Sequence, residues 1–385
     1  MDRYLLDGQE KCLKDEAELE KALKHYEDTD RWYFPRANEI YAKGVDNTPL
    51  FYGDYMRSIS ATCSEELFEE CVKSTGIFLK VPDTILKDGY NTFAVREIAL
   101  ESVLERAGVA CRLMRTLTDT GCVKALDAEK RGGILDIGFR HSSEPIKVLV
   151  SDGKISIIGS SKYAILDYRK GLEAAKREIE NQDDFDELSF RSALISHEGL
   201  IVQYNLTGSG PDSHKQAMED ADIHAERYEF VWSSSHTKCS CMIGRMNLVV
   251  GGTSIPIGKP VKVRHMGSTS QKLMEAFRRG VSRLGAALKE NEDLIESLGN
   301  IIILHSKGCL TRVLERCNSI PASEKKAAID AIPDIPVTGM DVYLAAARAA
   351  EKVTGIQNTV SAMEEVAQIQ YLNFSALDKP VEKDN

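Results

Sequence analysis

The chain has 385 residues, 43% of them hydrophobic and 28% charged, with a formal net charge of −10. That is enough chain for a large core in two lobes. The acidic excess excludes a protein that coats nucleic acid over its whole surface, though not one with a local basic patch. No apolar run approaches the roughly 18–20 residues of a membrane helix. The N-terminal MDRYLLDGQEKCLKDE lacks the apolar stretch of a secretory signal, and nine scattered cysteines read as reduced thiols of a cytosolic protein.

In chain order, Leu13 to Tyr26 reads as a helix with Leu19, Ala22, Leu23 and Tyr26 on one face. Trp32, Tyr33 and Phe34, stopped by Pro35, read as an aromatic plug in preference to a stacking site for bases. A second helix is expected from a Ser64 cap through SEELFEECVKS. A third spans about Phe93 to Ala107, with Ala94, Ile98, Val103 and Leu104 inward, and a fourth runs from Leu117 to Lys130. Gly132-Gly133 marks a break and a lobe boundary.

Beyond it, Lys147–Val150 and Ile155–Ile158 flank Asp152-Gly153, the dipeptide that a type I′ hairpin turn demands. A helix follows from about Asp167 to Asn181. A second hairpin turns at His197-Glu198-Gly199, and Thr207-Gly208-Ser209-Gly210-Pro211 reads as a loop. Tyr228, Phe230 and Trp232 then share one strand face, Ser233 to Thr237 turns, and a returning strand places Cys241, Ile243 and Arg245 together. Pro256 and Pro260 suit an edge position, because proline has no N–H for a ladder. After Gly267 the period changes to that of one long amphipathic helix, with Phe277, Val281, Leu284, Leu288, Ile295 and Leu298 inward and Asn291 in the same seam. Its cations sit in the first half and its acids in the second, against the helix dipole. The rest is helical, with IIIL (Ile301 to Leu304) as a buried continuation and Thr338 and Asp341 at capping spacing.

Four kinds of chemistry compete. His236, Cys239 and Cys241 form a candidate metal site, since alternate strand positions point the same way, but a fourth ligand must come from as far as His214 or His224. Buried thiols and a turn histidine are the competing reading. TGSGP and GGTSIPIGK are glycine-rich but lack the spacing of a phosphate loop, and no nucleophile elbow or Cys–His signature is present, so no catalytic residue is assigned. The largest signal is a basic cluster of Lys259, Lys262, Arg264, His265, Lys272, Arg278, Arg279 and Arg283, with Glu275 the only acid between Lys259 and Lys289. Brought together by strand and helix, these residues make a groove for DNA or RNA phosphates. Left apart, they are a solvated face or partners for acids elsewhere.

The order of pieces from Ile146 to Val353 resembles the phage- and plasmid-encoded family of unknown function known as phage/plasmid-like proteins. The features are Ser160-Ser161-Lys162-Tyr163 leading into a helix to Asn181, a strand ending in Ser235-His236, Arg264-His265 opening a helix, and a late Asp341-Val342-Tyr343 helix. Ser235-His236-Thr237-Lys238 departs from the family's Ser-His-Asp-Gly turn. The resemblance implies a mobile genetic element, bacterial cytoplasm and DNA handling or host defence, and offers no catalytic residues.

The expected fold class is α+β: an antiparallel sheet of hairpins from Ile146 to His265 packed against a long helix and a helical C-terminal region, with a mostly helical N-terminal lobe. The regions are 1–133, 134–299 and 300–385. The expected function is non-catalytic nucleic-acid association through the basic cluster, without a cofactor or a membrane. The alternatives are a self-assembling or host-factor-binding phage protein and, behind it, a metalloenzyme.

Overall fold

The computed structural model describes residues 5–45, 65–83, 89–109, 127–220, 223–237 and 240–381. The class is α+β. In the first part of the chain the elements are β1 (Lys11–Leu13), α1 (Glu16–Thr29), β2 (Arg31–Tyr33), β3 (Tyr41–Gly44), α2 (Glu65–Lys73), β4 (Ile77–Pro82), β5 (Tyr90–Val95), α3 (Leu100–Arg106) and α4 (Ala128–Arg140). There follow β6 (Ile146–Ser151), β7 (Lys154–Ser160), α5 (Tyr168–Glu180), β8 (Glu187–Ser196), β9 (Gly199–Thr207), α6 (Ser209–Asp220), β10 (Ala225–Ser234), β11 (Cys241–Val250) and β12 (Thr253–Arg264). The last part holds α7 (Ser270–Val281), α8 (Leu284–Glu290), α9 (Glu292–Asn300), β13 (Ile302–Ile303), α10 (Ser306–Leu314), α11 (Ala322–Ala331), β14 (Val337–Thr338), α12 (Gly339–Glu351), α13 (Ile356–Ile369) and α14 (Phe374–Leu377).

These strands build two six-stranded sheets, β2-β6-β7-β5-β4-β3 and β1-β8-β9-β10-β11-β12, and a small β13–β14 pair. The N-terminal lobe is therefore not mostly helical. Phe93–Val95, read as the start of a helix, instead ends the strand Tyr90–Val95, whose last four residues are buried, with Phe93 and Val95 in one apolar cluster and Ala94 in another. Nor do the hairpins from Ile146 to His265 form one sheet. The β6–β7 hairpin joins the N-terminal sheet, where β7 pairs in parallel with β5. Its turn is as expected, with positive φ at Asp152 and Gly153.

Gly132 and Gly133 do not break the chain; they lie inside α4. Gly132 lets this helix approach β3 at backbone distance, since a Cβ there would stand 2.0 Å from the Gly44 amide nitrogen. A boundary at residue 133 thus falls within a helix. The expected Ser64 cap and residues 117–126 of the expected fourth helix lie outside the described residues. The loop read at TGSGP is the last residue of β9 and the first turn of α6.

The second sheet is an antiparallel meander after β1. Tyr228, Phe230 and Trp232 on β10 enter the main core, while Val231 joins Ile201, Cys241, Ile243, Ile356 and Val360 in a cluster under α13. Strand β12, with both prolines, lies at the edge as expected. Residues Ile303, Cys309, Leu310, Tyr343 and Phe374 belong to the same core, so the C-terminal helices complete this sheet's packing. Ile302 and Leu304 are exposed, against the reading of IIIL as buried.

The expected long helix is three helices. At the first break the Gln182 side chain replaces a backbone bond: its Nε2 donates to the Val281 carbonyl at 3.1 Å and its Oε1 accepts from the Gly285 amide at 2.9 Å. Those two backbone groups would otherwise bond each other as an i→i−4 pair. Asn291 makes the second break and begins α9.

The adjacent glycines of α4 give a sharp test. Gly132→Ala forces a methyl group into the β3 backbone and lowers stability by about 1–3 kcal/mol or more. Gly133→Ala, with nothing within 4 Å of its Cβ, gains about 0.5–1 kcal/mol from helix propensity. Urea unfolding of both variants measures the difference, and equal effects contradict the packing described.

Candidate nucleic-acid interface and the buried histidine joint

The basic cluster is distributed over two faces of one sheet edge. Val261 and Val263 of β12 pack into the main core, and Val261 meets α7 at Gly280, where a Cβ would come within 2.4 Å of it. By strand alternation Lys262 and Arg264 point the other way. They pair in register with Ile243 and Cys241, whose side chains lie under α13. Lys262 Nζ is bound there to Glu364 at 2.7 and 2.8 Å, and Lys259 Nζ stands 5.9 Å over the Tyr371 ring. On the other side, Arg278 of α7 is tied to Glu178 of α5 at 2.6 Å. His265 is fully buried and cannot reach a phosphate. The single groove read from the sequence is therefore not formed, and His265, Lys262 and Arg278 are engaged elsewhere.

What remains is a stripe on α7. Thr269 caps this helix. Phe277 and Val281 face the core, and Leu273 is partly buried against it. Lys272 and Arg279, two turns apart on one side, are exposed, and Arg283 follows just after the helix. Among the described residues none of these three pairs with a carboxylate. Arg264, on the opposite face, is also exposed and unpaired among them.

Two residues of the metal reading, His236 and Cys241, have other surroundings among the described residues. Cys241 is buried among apolar side chains, and His236 uses its Nδ1 on Tyr163. His214 is bonded to the Tyr228 hydroxyl, His224 is exposed, and Cys239 lies outside the described residues. Among the described residues no group of three or more His, Cys, Asp or Glu side chains could hold a metal ion.

The two histidines form something the sequence did not reveal. Tyr163 follows β7, and its ring lies over Gly159, where a Cβ would be 2.8 Å from its Cγ. Its Oη lies 2.9 Å from His236 Nδ1, 3.0 Å from His265 Nδ1 and 3.1 Å from the His236 carbonyl oxygen. Trp32 closes one side, 5.6 Å from the Tyr163 ring and 5.5 Å from that of His236. Tyr168 closes another, 4.8 Å from the His236 ring. The joint links the N-terminal sheet, through Trp32 and Tyr163, to the end of the β10–β11 hairpin and of β12.

Burial holds this joint uncharged. It pushes His265 down to about 4 and, with His265 alongside, moves His236 well below its usual range; it raises Tyr163 and Tyr168. One phenolic proton cannot serve both imidazoles, so at least one of them donates its own Nδ1–H to the Tyr163 oxygen.

A second polar joint lies between the same sheets. Buried Lys154 holds Asp7 at 2.5 Å and Glu70 at 2.7 Å, Arg96 pairs with Asp7 and donates to the Ser151 carbonyl at 2.9 Å, and His25 meets Asp152 at 3.1 Å. Single charges at positions 7, 70, 96 and 154 carry no periodic signal, so sequence reading missed them. Burial, with Arg96 nearby, lowers His197 to about 3, and burial raises Asp30 to about 7.

Comparison with known proteins returns no matching family model, no matching curated protein and no matching solved structure.

These shifts fix the direction of an acid response. His197, His214 and His265 titrate in the fold near 3, 4 and 4 instead of 6.5. Between those values the unfolded chain binds more protons, so their contribution is fully present above about 6.5 and is lost as pH falls towards 4. Asp30 acts oppositely, favouring the fold as pH drops from about 7 towards 3.8. Three histidines outweigh one carboxyl, and urea stability is expected to fall between pH 6.5 and 4. His265→Gln removes up to about 1.4 kcal/mol per pH unit of that slope. An unchanged slope in the variant contradicts a neutral, buried His265.

Proposed function

We propose that this is a non-catalytic nucleic-acid-associated protein that holds a phosphate backbone on the outer stripe of α7. Lys272, Arg279 and Arg283 are the contact residues. The observation that supports this is their exposure without a carboxylate partner among the described residues, on a chain of net charge −10 whose cations Lys262 and Arg278 are both ion-paired. Glu275, exposed between Lys272 and Arg279 on the same helix face, accepts from Gln271 at 3.5 Å. Three cations to this one acid leave the stripe net positive, and such a stripe attracts anions locally even where the whole molecule is acidic. Phosphate contacts position a nucleic acid without reading its sequence, so the association is expected to be sequence-independent. The resemblance of residues 146–353 to phage- and plasmid-encoded proteins points towards DNA on a mobile element as its setting.

The test is a binding titration with single- and double-stranded DNA at several salt concentrations. Three phosphate contacts give a duplex slope of about −2.7 in log K against log salt. Arg279→Glu with Arg283→Glu reduces that slope to about −1 or removes binding. Affinity absent at low salt, or unchanged by the double substitution, overturns the reading.

A further inference from the structure

A second surface deepens this reading, and rests on it. Phe34 is 60% exposed and Met266 57% exposed, and both belong to the surroundings of the Tyr163 joint. The β2–β6 register runs from Tyr33↔Val148 to the bridge Arg36↔Pro145, which sets Phe34 opposite Lys147 and on the same strand face as Trp32. Lys147 Nζ donates to the Tyr163 carbonyl at 2.5 Å, and Tyr163 is bridged to Met266. Phe34, Lys147, Tyr163 and Met266 therefore follow one another from the edge of the N-terminal sheet to the end of β12. Trp32 is half-buried beside Phe34, against the Tyr163 ring.

The rim of this shelf is basic. Arg36, Lys162 and Arg264 are exposed, and none of them has an ion-pair partner among the described residues. Glu39 turns its carboxylate back onto the Arg36 amide at 2.7 Å. Glu144, beside the Arg36 bridge, is exposed. From Met266 the chain leads through Gly267 and the Thr269 cap directly to Lys272, the first cation of the α7 stripe.

An exposed phenyl ring and thioether, edged by cations, match the chemistry of unpaired bases on a phosphate chain. Stacking needs a free π-face, which a base within a duplex does not offer, and every base has one, so stacking tolerates any sequence. We infer that the nucleic acid taken by this protein is single-stranded, with bases packing on Phe34 and Met266 while its phosphates follow the basic rim of Arg36, Lys162 and Arg264. The sequence had made Trp32, Tyr33 and Phe34 a core plug. Trp32 and Tyr33 do seal apolar clusters, but Phe34 stands outside.

The two tryptophans make the inference measurable, because Trp232 is fully buried while Trp32 is at the shelf. The full chain is titrated with fluorescein-labelled oligothymidylate of about 20 nucleotides, the matching oligouridylate and a duplex of the same length. The single strands are expected to quench tryptophan emission, and Trp32→Phe to abolish the quenching. Phe34→Ala with Met266→Ala, both at exposed positions, is expected to weaken single-strand binding about tenfold and to leave duplex binding within about twofold. The two single strands tell DNA from RNA. If the double substitution weakens single strand and duplex equally, or neither, the stacking inference falls while the α7 contact stands. If no nucleic acid binds at low salt, the parent reading falls with it.

Discussion

The hydroxyl of Tyr163 lies within hydrogen-bond distance of two buried imidazoles, and much else depends on that contact. It is one point where the N-terminal sheet, carrying Trp32 and Tyr163, is fastened to the β10–β11 turn and the end of β12. The His265 amide donates to the Ser240 carbonyl at 2.8 Å and its carbonyl accepts from the Ala164 amide at 2.7 Å, so the backbone follows the same route as the side chains. Among the described residues no carboxylate bonds to either imidazole, so an imidazolium would sit there unpaired at high cost; neutrality is a condition of the packing. The ionic cluster around Lys154 and Asp7 works differently, with charges buried only because they are paired.

That joint decides what the basic segment can do. His265 is withdrawn from the surface, which leaves Arg264 and Met266 on either side of it facing solvent. Strand alternation along β12 then sends Lys262 and Arg264 away from α7. The cations of a short sequence stretch therefore divide between two faces of an edge strand. Those without a carboxylate partner among the described residues include the α7 stripe on one side and Arg264, beside the Phe34–Met266 shelf, on the other. Of these, the stripe supports phosphate contact by charge alone, and the shelf adds a surface for bases.

Local pattern predicted what local physics determines. The Asp152-Gly153 turn, the Tyr228–Trp232 face, the prolines at the sheet edge and the inward face of the helices after Gly267 were all readable from period and turn chemistry. What was not readable depended on residues far apart in sequence. Gln182 divides a helix whose own seam is continuous, because its amide group substitutes for a backbone pair a hundred positions away. Gly132 and Gly133 look like a break, yet one of them is there to admit a neighbouring strand. Tyr90–Val95 is compatible with helix or strand and is settled by its partners β4 and β7. In the candidate site, composition identified the cations, but only the pleat of β12 says which face each one serves. His236 and His265 were both noticed, one as a ligand and one as a phosphate contact. Their shared partner, Tyr163, lies 73 and 102 residues away.

The donor arithmetic at the joint can be read directly. His265 Nε2 is buried without a hydrogen-bond partner among the described residues. A lone pair is less costly to leave there than an N–H, so the proton belongs on Nδ1, donated to Tyr163. A long-range proton–nitrogen correlation spectrum of 15N-labelled protein reports the imidazole tautomers. The account predicts a neutral His265 protonated on Nδ1 at pH 7, unchanged at about pH 5.5, because its titration is displaced to about 4. A His265 protonated on Nε2, or one that becomes an imidazolium near pH 6.5, would contradict it.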